Sequence, residues 1–96
     1  MPYIEKENRE YYKDMIGDVV EELLDVYDEN TLDKTYLAGE LNYVISSIVW
    51  KLFDNKPSYT NGNTLVGVLE CVKQEFIRRK LNQYEDKKIA QNGDLS

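Results

Sequence analysis

The chain contains no histidine and one cysteine, Cys71, in 96 residues. Without histidine, the Cys/His and Ser/His catalytic pairs and the commonest zinc sites are excluded. A lone cysteine excludes a disulfide within the chain. Cys71 follows Glu70 inside a helical pattern, with no imidazole to activate it, so it reads as a small core or boundary residue. No apolar run reaches the roughly 18 residues that a membrane span requires. No charged-then-apolar leader is legible at the start, and a cytoplasmic location is expected. There are two prolines: Pro2 disfavours regular structure at the beginning, and Pro57 breaks the chain once inside. Strand patterns, internal repeats, low-complexity linkers and a helix-turn-helix signal are all missing.

What is present is charge, unevenly spread. The net charge is −6. Residues 1–33 hold 11 acidic and 3 basic side chains, whereas residues 34–96 hold 7 and 9. The first third therefore opposes phosphate contacts, which makes nucleic acid a poor partner, while the remainder tolerates a small anionic ligand. Apolar residues make up 42% of the chain, enough to exclude disorder for most of it. Residues 1–96 read as a single helical domain. A domain of this size buries only about 60–65% of its unfolded surface, so a homo-oligomer is expected.

Helical periodicity predicts three helices, at about 7–28, 34–54 and 59–90. In the first, Tyr12, Ile16, Val19, Val20, Leu23 and Tyr27 share one face, with Asn8 as a candidate cap. Gly17 lowers its local propensity and marks a place for close packing. Thr31 or Asp33 is placed to cap the second helix. That helix carries Leu37, Leu41, Val44, Ile45, Ile48 and Leu52, widened by Trp50 and Phe53, and belongs at a centre or a subunit interface. Asn42 and Ser46 interrupt it as an i, i+4 pair that needs partners if buried. After Pro57, Ser58 stands where a cap belongs, although Asn61-Gly62 is also a turn signal.

The third helix is best formed over Gly67–Arg79. Leu65, Leu69, Val72 and Phe76 recur at steps of four, three and four, and the helix then runs into Arg78-Arg79-Lys80, the densest positive cluster. A bend is expected near Leu81, with less regular helix beyond. Asn92-Gly93 suits a left-handed stop. The expected class is all-α, a three-helix bundle or hairpin with a long C-terminal helix, completed by oligomerisation.

Residues 39–94 resemble a family of short bacteriophage and prophage proteins of unknown function. The shared residues are Gly39-Glu40-Leu41-Asn42-Tyr43-Val44-Ile45, Ser58-Tyr59, Asn63, Gly67-Val68-Leu69-Glu70, Lys73, Glu75-Phe76, Arg78-Arg79, Tyr84-Glu85-Asp86, Lys88 and Asn92-Gly93-Asp94. Helix 1 carries no part of this likeness. The resemblance implies a phage origin and a shared fold, and no chemistry.

Three functions compete. The first is a non-enzymatic binding protein that sequesters a nucleotide-like anion against host defence, with Asn42, Tyr43, Tyr59, Arg78, Arg79, Tyr84 and Lys88 as its ligand-binding residues. Forked guanidinium donors match phosphate oxygens, tyrosine rings stack on bases, and Asn42 can read an adenine-like edge. No cofactor or metal is required. The second is a protein-interaction module that inhibits or redirects a host enzyme, with the acidic first helix imitating nucleic acid. The third is a magnesium-dependent all-α nucleotide hydrolase using Glu21, Glu22, Asp25 and Glu40. A second acidic helix, which such a site needs, is not evident.

Overall fold

The structure, a computed structural model, describes residues 4–29 and 36–94. These residues form helices and short connectors, with no strand among them. α1 spans Lys6–Glu29 and α2 spans Ala38–Asn55. α3 (Tyr59–Phe76) passes through a wider π turn (Ile77–Leu81) into α4 (Asn82–Asn92), which gives a C-terminal rod of 34 residues. The all-α class, the three helices and the long last helix agree with the sequence. No helix among the described residues is long and apolar enough to cross a membrane. The chain divides into two units, Met1–Ile48 and Val49–Ser96, and α2 runs through the boundary.

In the first unit, α1 opens on the Glu5 carbonyl, which accepts the N–H groups of Asn8 (3.0 Å) and Arg9 (3.1 Å). Asn8 therefore lies within the helix and does not cap it. The Arg9 Nε donates to the Ile4 carbonyl (3.2 Å), and Glu7 places a negative charge at the positive helix end. Thr31 and Asp33, the candidate caps of the second helix, lie outside the described residues. α2 begins at Ala38, later than the expected start near residue 34, because Tyr36 (φ 44°) and Leu37 (φ 64°) are left-handed and cannot continue a right-handed helix. Each such residue costs about 1–3 kcal/mol. Two contacts offset this. Leu37 is 7% exposed, the one buried side chain among the described residues, and the Tyr36 ring meets Tyr27 edge-on at 5.1 Å. The Leu37 carbonyl then accepts the Leu41 N–H (2.8 Å) to start α2.

In the second unit, Pro57 follows the end of α2 and Ser58 caps α3. The Ser58 Oγ accepts the Asn61 N–H (3.0 Å), and the Asn61 side chain donates to the Lys56 carbonyl (2.7 Å). Asn61 thus ties both sides of the connector, and Asn61-Gly62 lies inside the helix. Gly62 serves a close approach instead, since a Cβ there would lie 3.3 Å from the Phe53 ring. A Cβ added at Gly17 or Gly67 would meet nothing within 4 Å, so the close packing expected at Gly17 is not made among the described residues. The rod stops at Gly93, which has φ 86° with an extended ψ and donates its N–H to the Ile89 carbonyl (2.8 Å).

The irregularity expected near Leu81 is the π turn. A π turn inserts one extra residue into the helix. Leu81 then takes the place that an uninterrupted helix would give to Lys80, four after Phe76. The apolar stripe Leu65, Leu69, Val72, Phe76 is thereby carried on to Leu81. Neither unit encloses a core: apart from Leu37, every large apolar side chain described is half-buried or exposed. Helices in water gain most of their stability from a covered apolar face, so these stripes call for cover.

Candidate functional site

The first unit presents a groove of about 650 Å³ between α1 and the start of α2. Val19, Leu23 and Val26 from α1 and Val44 from α2 supply its apolar lining, and Gly39 adds no side chain. Asp18, Glu22 and Glu40 bring three carboxylates to the same groove, with Tyr43 beside them. The spacing of the α1 members, at steps of one, three, one and three, makes this the helix's main apolar stripe with one acidic flank. The strained turn at Tyr36-Leu37 fixes where α2 begins, and so brings Gly39, Glu40 and Tyr43 opposite the α1 residues. Of the four carboxylates considered for magnesium, Glu22 and Glu40 line the groove, whereas Glu21 and Asp25 do not. Among the described residues no group of three or more Asp, Glu, Cys or His side chains is placed to hold a metal ion.

Asn42 and Tyr43, the candidate ligand residues of the first unit, are both exposed. The Ser46 hydroxyl donates to the Asn42 Oδ1 (3.0 Å), so this i, i+4 pair answers part of its own hydrogen-bonding need along α2. Tyr43 is 75% exposed at the groove.

The second unit has a smaller apolar hollow, about 310 Å³, lined by Val49, Trp50 and Phe53 of α2 and Gly62, Leu65, Val66 and Leu69 of α3. Asp54 is its one charged lining residue. Beside it, Phe53, Pro57, Tyr59 and Gly62 border a second hollow. Trp50 is 71% exposed and Tyr59 94%. The two hollows share Phe53 and Gly62, so the close approach at Gly62 joins the surface that carries Trp50 to the one that carries Tyr59. Tyr59 is a candidate ligand residue, whereas in the sequence Trp50 and Phe53 widen an apolar face that belongs at a centre or a subunit interface. Their departure from the main stripe of the second helix was the signal that a separate surface existed.

Arg78 and Arg79 do not converge on a tyrosine. Both grip Glu75: the Arg78 Nη2 lies 3.2 Å from each carboxylate oxygen, and the Arg79 Nε lies 2.7 Å from Oε2. Both guanidinium groups remain well exposed, so this triad is worth only tenths of a kcal/mol after solvent screening. Further along the rod, Tyr84 and Lys88 do meet. The Lys88 ammonium stands 5.6 Å from the centre of the Tyr84 ring, a cation–π contact. They share a hollow of about 320 Å³ with Glu85, Ile89, Gly93 and Asp94. The seven candidate ligand residues thus fall into an Asn42–Tyr43 group in the first unit and, in the second, Tyr59, the Arg78–Arg79 pair on Glu75, and the Tyr84–Lys88 pair.

No curated protein and no solved structure matches the chain. A family model does match, described as "Domain of unknown function (DUF6899)", over residues 1–95. The match takes in α1 as well as residues 39–94, so the acidic first helix is part of the family's domain and not an addition to it. The chain belongs to this family of domains of unknown function, DUF6899.

Proposed function

We propose that this protein acts by binding another polypeptide through the aromatic edge of its second unit, and not by turning over a substrate. One observation carries this reading. Trp50 and Tyr59 stand exposed at two adjacent apolar hollows that share Phe53 and Gly62 and hold little charge. Aromatic side chains are enriched in the cores of protein interfaces, and a few of them dominate binding when a partner excludes water from around them. Both rings are carried on helical backbone, with α3 capped by Ser58, which lowers the entropy lost on docking. The phage setting implied by the sequence resemblance makes a host protein the partner, in keeping with the interaction-module alternative.

The test is affinity capture from bacterial lysate with the intact chain and with Trp50→Ala/Tyr59→Ala. The expected result is one stoichiometric polypeptide held by the intact chain and lost by the variant, with far-UV circular dichroism unchanged. Capture of nothing, or equal capture by both chains, would overturn the reading.

A small anionic ligand is the second reading, and the Tyr84–Lys88 pair is the observation that favours it. A ring and a cation side by side can stack on a base and meet a phosphate. Glu85 and Asp94 in the same hollow work against it. Calorimetry with cyclic di- and trinucleotides decides: heat that disappears in Lys88→Ala supports this reading, and no heat with the intact chain removes it.

A further inference from the structure

We infer that the groove of the first unit receives the C-terminal rod of a second copy of this chain, each copy giving a rod and accepting one. The proposal concerns a surface other than the Trp50–Tyr59 edge and does not depend on it.

Charge complementarity carries the argument. The first unit holds 12 acidic and 4 basic side chains, the second 6 and 8. Within the first unit, Asp18, Glu22 and Glu40 border an apolar lining. A ligand for such a groove is a helix with an apolar stripe flanked by cations. The rod is that helix. Val72, Phe76 and Leu81 lie exposed along it, the π turn keeps Leu81 in line, and residues 71–88 carry six basic against three acidic side chains.

The lengths agree as well. From Asp18 to Val26 the groove follows about 12 Å of α1, and Val72 to Leu81 spans roughly 13 Å at the helical rise. Every copy carries one groove and one rod, so a two-fold pair satisfies both and closes, leaving no open end for a filament. Any other basic amphipathic helix would have to compete with a complement supplied at equal concentration by the protein itself.

The experiment uses two full-length variants with changes at exposed positions. One reverses the groove, Asp18→Lys/Glu22→Lys. The other reverses the rod, Lys80→Glu/Lys87→Glu. Sedimentation equilibrium at micromolar concentration and low salt is expected to show a dimer for the unaltered chain. Each variant alone should dissociate at least about tenfold more readily, because like charges then face each other. An equimolar mixture should recover a heterodimer, in which the basic groove of one chain meets the acidic rod of the other and the reverse contact is also opposite in sign. Far-UV circular dichroism checks that each variant keeps its helices. A monomeric unaltered chain would overturn the proposal, and so would a dimer indifferent to both reversals or a mixture that stays monomeric.

Discussion

In the first unit, burial rests on one residue: Leu37 is enclosed at a left-handed turn, while the α1 stripe and the acidic groove beside it stay open. The second unit has no buried side chain among its described residues, yet its helices are fastened by local chemistry. Ser58 caps α3, Asn61 ties the connector to Lys56, and Gly62 admits the Phe53 ring. In the first unit the burial of Leu37 and the Tyr27–Tyr36 ring contact have backbone strain to offset, so it has little in reserve. The second depends on several contacts between residues close in sequence, each modest. Local hydrogen bonds form without a large loop-closure cost, so the second unit should survive insults that open the first.

The sharpest break of this contrast is Leu37→Ala. It should cost about 2–3 kcal/mol, within the range for truncating a buried leucine. Amide hydrogen exchange is the measurement. Protection should fall across α1 and the start of α2 and persist through α3. Equal loss in both regions would show that the units do not open separately.

Next in size is Gly62→Leu. The side chain would begin 3.3 Å from the Phe53 ring and grow into it, so a loss of about 1–3 kcal/mol is expected, confined to the second unit. Gly67→Ala should do the opposite. Nothing among the described residues lies within 4 Å of its new Cβ, and alanine in a helix interior is better than glycine by roughly 0.5–1 kcal/mol. Urea titration of both variants tests the pair. A loss at Gly67→Ala would place a partner helix against that face.

The sequence made much of this legible. The stripe from Tyr12 to Tyr27, the break at Pro57, the Ser58 cap and the Asn92-Gly93 stop are local patterns, and each appears in the structure with its expected effect. The start of α2 was not legible, since Tyr36 and Leu37 carry no residue-type signal for positive φ; burial and ring contact impose it. Nor could spacing show that Arg78 and Arg79 close on Glu75. Glu75 and Arg79 stand four apart in the sequence, a spacing equally compatible with guanidinium groups turned toward a ligand. The groove was hidden for a further reason. Its carboxylates read as a solvated face until α2 brought Glu40 and Val44 opposite them.

Ser58→Ala tests the local fastening of the second unit at smaller scale. Losing the Oγ acceptor leaves the Asn61 N–H without its cap, which should cost about 1 kcal/mol and fray the first turn of α3. Because Tyr59 opens that turn, the same change should also loosen the aromatic edge, visible as faster exchange at residues 59–62 with the rest of the rod unaffected.

Smallest of all should be Arg79→Ala. Its bond to Glu75 is short, but the guanidinium is well exposed and Arg78 remains on the same carboxylate, so urea stability should change by less than about 0.5 kcal/mol. The value of this variant lies in its contrast with Lys80→Glu/Lys87→Glu. Removing one cation already neutralised within the rod should hardly alter self-association. Reversing Lys80 and Lys87, which the ion pairs among the described residues do not include, should alter it strongly. If Arg79→Ala alone dissociated the protein, Glu75 would be holding a guanidinium for another chain instead of quenching it, and the Glu75 triad would be the contact and not the stripe beside it.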